Sequence, residues 1–296
     1  MRIFVTGATG FVGSAVVSNL LAHGHEVLGL VRSEAGATAL AATGAAVHHG
    51  SIYDLDSLKA GARDVDGVIH TAFNHDFSRY VENCETDRKV VTALADALAG
   101  SDRPLVVTSG TALVQVGRPA VEDDRAEPGR HPRIATDEAV EAALERGINA
   151  SLMRLPPTVH GVGDHGFVPM LIDIARKKGF AAYIGDGANR WAAVHRSDAG
   201  DLYRRAIEAG VAGRRYHAVA EQGIAVVDIA AAIGRGLGLP TRSIRPEEAG
   251  DHFGRMAGFV TLDAATSSEK TRQMLGWVPT GPTLFEDLAD AAYFGG

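Results

Sequence analysis

Three glycines near the amino terminus stand at G-x-x-G-x-x-G spacing, in the run Thr6-Gly7-Ala8-Thr9-Gly10-Phe11-Val12-Gly13. The run lies between a short apolar, β-rich stretch (3–6) and a helical stretch reaching about residue 21. In that setting the first glycine permits a tight turn, the second admits a pyrophosphate to the backbone, and the third lets helix pack closely on strand. Phosphates would then meet the positive end of the helix. Arg32 and Ser33 follow the second strand, where a site selective for a free ribose 2′-hydroxyl carries an acidic residue. A guanidinium and a hydroxyl suit a 2′-phosphate through charge-assisted bonds, so the expected cofactor is NADP(H) rather than NAD(H).

Other residue types are suited to proton transfer and substrate contact. His160, Asp164 and His165 fall in a loop just after Pro156-Pro157, and histidine is the natural proton donor near neutral pH. Ser109 and Thr111 close a candidate strand and are placed to hydrogen-bond a carbonyl or imine. Phe167, Tyr183, Asn189 and Trp191, with His195 beyond them, occupy the stretch expected to wall a substrate cleft. No zinc or EF-hand spacing is present, so no metal is expected. There is no G-x-S-x-G elbow either, which leaves a serine hydrolase unsupported. Cys84, the single cysteine, reads as a small buried helical residue and not as a nucleophile.

These residues need a scaffold, and the pattern supplies one. Short apolar strands at 3–6, 26–31, 46–49, 65–71, 105–109 and 150–155 alternate with helical stretches near 54–60, 81–99 and 134–146. That alternation predicts an α/β fold, a doubly wound parallel sheet of Rossmann type with a smaller C-terminal substrate lobe. The expected division is 1–160 for dinucleotide binding, with a return segment near 190–220, and 161–296 for the lobe. The glycine-rich 234–240 reads as a helix end and turn, not a second phosphate loop. Composition is ordinary for a globular chain of 296 residues, 46 % hydrophobic and 22 % charged. A net charge of −7 gives no basic footprint for nucleic acid, and no apolar run is long enough to span a bilayer. The amino terminus has no signal-like segment, so the expectation is a cytoplasmic protein acting on a small molecule.

Taken in order, these segments resemble the short-chain dehydrogenase/reductase superfamily, in its extended, epimerase-like branch. The loop 6–13 matches TGxxGxxG. Gly50-Ser51-Ile52-Tyr53-Asp54 is similar to the family's GD(L/I)xD segment, with Ser51 in place of the acid that contacts adenine. Val68-Ile69-His70-Thr71-Ala72 resembles VIHxA, Arg154–Gly161 resembles R-P-x-x-V-Y-G, and Val194–Asp198 resembles VHVxD. The resemblance implies that Thr71, Ala72, Thr108 and Pro156 border the cofactor along with Ser51 and Ile52.

The family's chemistry uses a tyrosine with a lysine four residues later on one helix face. None of the tyrosines at 53, 80, 183, 203, 216 and 293 has lysine at that spacing. Alignment by resemblance puts Arg133 near the tyrosine position, Asp137 near the lysine position and Gly110 at or beside the serine. An aspartate there would repel the cofactor phosphates, and the chain resembles atypical members that keep the binding fingerprint but lose the dyad. The helices at 81–99 and 134–146 form a dimer face in that family, and a homodimer is expected, although Asp137, Glu138, Glu141 and Glu145 make the face less apolar. Three functions follow: an NADP(H)-dependent oxidoreductase reducing a small carbonyl, imine or activated alkene; a non-catalytic NADP(H) sensor; and a nucleotide-sugar epimerase or dehydratase.

Overall fold

A computed structural model describes residues 1–294. Chain order gives β1 (Arg2–Thr6), α1 (Phe11–Ala22), β2 (Glu26–Val31), α2 (Glu34–Ala41), β3 (Ala46–His49), α3 (Leu55–Gly61), β4 (Gly67–His70) and α4 (Tyr80–Leu98). Next come β5 (Leu105–Gly110), α5 (Ala135–Glu145), β6 (Ala150–Leu155), β7 (Thr158–His160), α6 (Phe167–Lys178), β8 (Ala181–Ile184) and β9 (Arg190–His195). The chain continues through α7 (Arg196–Ala209), β10 (Arg215–His217), β11 (Glu221–Ala225), α8 (Val226–Leu237) and β12 (Thr241–Ile244). Four short helices follow: α9 (Ala249–Phe253), α10 (Ala257–Val260), α11 (Glu269–Leu275) and α12 (Leu284–Asp287).

Seven strands form one sheet in the order β10-β6-β5-β4-β1-β2-β3, every pairing parallel. Strand residues alternate between its two faces. Ile3 and Val5 pack with Val16 and Leu20 of α1 and Leu202 and Ile207 of α7. Phe4, between them in sequence, faces the opposite way and packs with Leu58, Val90, Leu94 and Val140 of α3, α4 and α5. Covering both faces leaves the strands almost wholly apolar, as the sequence predicted. Each fully buried Leu or Val contributes roughly 1.5–3 kcal/mol.

The second unit has its own core, with Val168 and Ile172 of α6, Ile229 and Ile233 of α8 and Trp191 of β9. Its strands form a three-stranded sheet, β11-β9-β7, and a β12-β8 pair. β7 therefore pairs with β9 instead of extending the main sheet, while the chain returns through α7 and supplies β10 as the seventh strand. Helix α2 was not expected from its Gly- and Thr-containing sequence. It is held by a Ser33 cap on the Gly36 N–H and by burial of Ala37 and Leu40. Helix α8 runs on through Gly234 and Gly236 before Gly238 turns it off with φ +65°.

Candidate active site at the carboxyl ends of the sheet

Strand order reverses between β1 and β4, so a crevice opens beyond their carboxyl ends. Gly7 turns there with φ +70°, and a Cβ on it would stand 2.8 Å from both the Ala72 N and the Thr71 Oγ1. Thr71 in turn donates its hydroxyl to the Thr6 carbonyl at 2.8 Å, tying the two strand ends together. A Cβ on Gly13 would lie 2.0 Å from the Gly7 carbonyl oxygen, which only glycine allows. Gly10 begins α1 without a side-chain cap, and no acidic residue stands in the first turn. The Gly10 N–H closes the turn on the Gly7 carbonyl at 2.8 Å, so the helix's positive end is carried by the amide groups that follow it, at Phe11 and Val12, with exposed Thr9 beside them. This cradle fits a dinucleotide pyrophosphate. Arg32 is exposed beyond β2 and, among the described residues, has no acidic partner within ion-pair distance. Ser51 accepts from the Tyr53 N–H at 3.2 Å, with half-buried Ile52 between them.

At the ends of β4 and β5, Arg133 and Asp137 belong to separate buried networks. Arg133 donates to Asp87 at 2.7 Å and to the Thr108 carbonyl at 3.3 Å, and its guanidinium carbon lies 4.2 Å from the Phe73 ring centroid. Asp87 also takes bonds from His70 Nε2 at 2.9 Å and from Thr136. His70 Nδ1 meets the Thr6 hydroxyl at 2.7 Å, so the chain of bonds reaches the cofactor loop. Burial alone would raise the Asp87 pKa. The charge of Arg133 and the bonds from His70 and Thr136 outweigh it and hold the carboxyl well below the usual range.

Asp137 instead accepts the Ser109 hydroxyl and pairs with Arg154 at 3.3 Å. Arg154 is 1 % exposed and also donates to the Asp124 carbonyl at 2.8 Å. The repulsion of cofactor phosphates expected from Asp137 does not arise, because that carboxylate is 6 % exposed and its charge is met by Arg154. Ser109 spends its proton on Asp137, whereas the buried Thr111 hydroxyl has no partner among the described residues.

Residues 3–219 match the model of the NAD dependent epimerase/dehydratase family. The chain belongs to that family. Its fold and cradle are those of an NAD(P)-binding Rossmann protein. An uncharacterized protein of Schizosaccharomyces pombe is 50 % identical over 295 residues, covering 99 % of this chain and 100 % of the relative. A 4-hydroxy-2-methyl-3-oxo-4-farnesyl-3,4-dihydroquinoline-1-oxide ketoreductase of Stigmatella aurantiaca is 30 % identical over 228 residues, 73 % of this chain and 67 % of that one. Among solved structures, a double mutant of the dTDP-glucose 4,6-dehydratase DesIV of Streptomyces venezuelae, with NAD and DAU bound, superposes with a TM-score of 0.78. It is 22 % identical, with 99 % of this chain and 96 % of that one covered, and shows the shared fold.

Within this family member, the remaining candidates separate by position. Exposed His165 stands edge-on to Phe11 at 5.8 Å between centroids, beside the cofactor loop. His160 is fully buried, its Nδ1 bonded to Asp287 at 2.6 Å, so it anchors α12 and does not open on the crevice. His195 bonds the Ser197 hydroxyl at 2.6 Å and faces the His160 ring at 5.6 Å. Trp191 is 1 % exposed and lies behind half-buried Phe167, 6.0 Å away, so it backs the lobe's core. Tyr183 is half-buried against Gly187. Thr108 donates to the His70 carbonyl at 2.6 Å, and Pro156 is buried at the end of β6.

The structure also assembles residues that the sequence reading passed over. After β4, Phe73, His75, Phe77 and Tyr80 fold into an aromatic corner with His131, with Arg133 against Phe73. Burial, then the charge of Arg133, lowers the pKa of both His75 and His131. Burial raises that of Tyr80, which lacks a lysine to counter it. Close-spaced aromatic and His residues just after the strand at the switch point were the available signal. Their convergence on Arg133, more than fifty positions away, was not readable.

No described helix is long and apolar enough to cross a membrane.

Proposed function

We propose that this chain is an NADP(H)-dependent reductase of a small carbonyl compound, imine or activated alkene, with Arg133 and His75 working where the family's tyrosine is missing. The observation that carries the reading is the Arg133 guanidinium, fixed by Asp87, stacked on Phe73 and bonded to the Thr108 carbonyl near the carboxyl end of β5. Arg32, an exposed guanidinium at the end of β2 with Ser33 beside it, supports NADP(H), and the next carboxylate in the chain, Glu34, lies 3.8 Å from His49. The similarity to a ketoreductase supports reduction.

NADPH, when bound, supplies the hydride. Arg133 would offer N–H donors to the negative charge that develops on a carbonyl oxygen as it becomes an alkoxide. Phe73 and Asp87 keep the guanidinium from reorganising. The alkoxide then takes a proton relayed from water through His75, giving the alcohol. Burial and the charge of Arg133 lower the His75 pKa, so its ring takes up a proton only at lower pH than a free imidazole.

The test is NADPH consumption across panels of ketones, imines and enones, followed by nicotinamide absorbance. Arg133→Met should lower kcat about 10²- to 10³-fold, the cost of removing a charge-stabilising donor, without weakening NADPH binding. An unchanged kcat would refute the role of Arg133. The missing dyad favours one second reading, a non-catalytic dinucleotide sensor, which tight binding without turnover on every panel would support. An epimerase or dehydratase would instead return the cofactor unconsumed while converting a nucleotide sugar.

A further inference from the structure

Arg196 opens α7 directly beside the amino end of α1. Its Nη2 donates to the Ser14 Oγ at 2.6 Å and its Nη1 to the Val162 carbonyl at 2.9 Å. The guanidinium carbon lies 4.6 Å from the centroid of the Phe11 ring. The residue is half-buried, and burial lowers its pKa. Gly161, at φ +134°, packs so closely that a Cβ there would come within 3.0 Å of the Arg196 Cγ. This cation is thus held in place from three sides, by α1, by the loop 161–166 and by an aromatic face.

What it lacks is a counter-ion. Among the described residues no carboxylate lies within ion-pair distance of Arg196, although Arg133, Arg154, Arg204 and Arg205 all have one. A partly desolvated charge without a partner costs free energy that an anion can offset. Beside it, α1 begins at Gly10 with neither a side-chain cap nor an acidic residue in its first turn. Two independent sources of positive potential therefore meet at Phe11, and neither is met by a carboxylate among the described residues.

We propose that Arg196 is a counter-ion for the pyrophosphate of the bound dinucleotide, positioned by stacking on Phe11. The inference rests on the dinucleotide-binding reading of the cradle. It assigns recognition of the two phosphate groups to separate arginines: Arg196 serves the pyrophosphate common to NADPH and NADH, and Arg32 serves the 2′-phosphate of NADPH alone. Arg196 also bonds the Val162 carbonyl, so the loop carrying His165 is joined to the same charge.

The test is fluorescence titration of the intact protein with NADPH, NADH and adenosine 2′-phosphate, for wild type, Arg196→Lys and Arg196→Met, with thermal melting to verify folding. Arg196→Met should weaken NADPH and NADH alike, about 10- to 100-fold, as expected for losing a charge-assisted bond. Adenosine 2′-phosphate, which has no pyrophosphate, should bind as to wild type. Arg196→Lys keeps the charge but loses the fork, and should stay within about fivefold of wild type. Equal weakening by Lys and Met would make Arg196 a staple between α1 and the loop and overturn the proposal. Unchanged binding by Arg196→Met would overturn it also. If wild type binds neither dinucleotide, the cradle reading itself fails. Should the Met variant not fold, Arg196→Gln is judged by the same comparison.

Discussion

Restoring the family's lysine by Asp137→Lys should unfold this protein rather than revive a dyad. Asp137 is the carboxylate partner of Arg154, which is 1 % exposed. Without it, Arg154 keeps the Asp124 carbonyl at 2.8 Å and a long contact to His217 at 3.5 Å, while its Nε already lacks a partner among the described residues. Breaking a buried pair typically costs 3–5 kcal/mol, because the surviving charge is left uncompensated. Two unit charges about 4 Å apart at an effective dielectric of about 20 interact by roughly 4 kcal/mol, so a lysine adds a repulsion of similar size. Against a total stability of about 5–15 kcal/mol, Asp137→Lys should leave little folded protein. The quantitative assay is urea unfolding of Asp137→Asn, Arg154→Met and the double variant at pH 7. Each single change should cost about 3–5 kcal/mol, and the double variant should cost at least about 2 kcal/mol less than their sum. Additive costs, or a well-folded Asp137→Lys protein, would show that Arg154 does not depend on Asp137 and would reopen the lysine position to catalysis.

Arg32→Ala should erase a preference for NADPH over NADH by weakening NADPH alone, about 10-fold or more; equal affinities in the wild type would refute the NADP(H) assignment. Gly13→Ala should abolish dinucleotide binding and lower Tm, since the new Cβ would sit 2.0 Å from the Gly7 oxygen; calorimetry and titration test both effects. His217 is held down to about 4 by burial, so between that value and its ordinary 6.5 the unfolded chain binds the extra proton. Its contribution therefore makes stability fall as pH drops through that window, by up to roughly 3 kcal/mol, and His217→Gln should flatten the dependence in urea titrations at several pH values. His160→Gln should loosen α12 by removing the bond to Asp287, with faster amide exchange across 284–291 and little change in the main sheet.

The fold was largely legible because its signals are local. Runs such as Leu105-Val106-Val107 are apolar on both faces, and a sheet covered on both sides accommodates them. The glycines of the cofactor loop were legible for a related reason: each answers a backbone requirement within a few residues of itself, and the structure shows the clash a Cβ would cause at Gly7 and Gly13. Helix α2 was missed because its stability comes from Ala37 and Leu40 packing on the sheet, not from intrinsic propensity.

The candidate site divides along the same line. That a lysine cannot assist any tyrosine at the family's spacing was decided by residue identity and needed no coordinates. What stands there instead was not readable. Ser109, Asp137 and Arg154 form one network and His70, Asp87 and Arg133 another only because β4, β5, β6, α4 and α5 bring them together. The same is true of Arg196, a loop-adjacent arginine in the sequence and an unpaired cation against Phe11 in the fold. Residue type sets the charge each side chain can carry. Whether that charge is paired, buried or left for a ligand depends on neighbours distant in the chain, and tertiary structure alone assigns those.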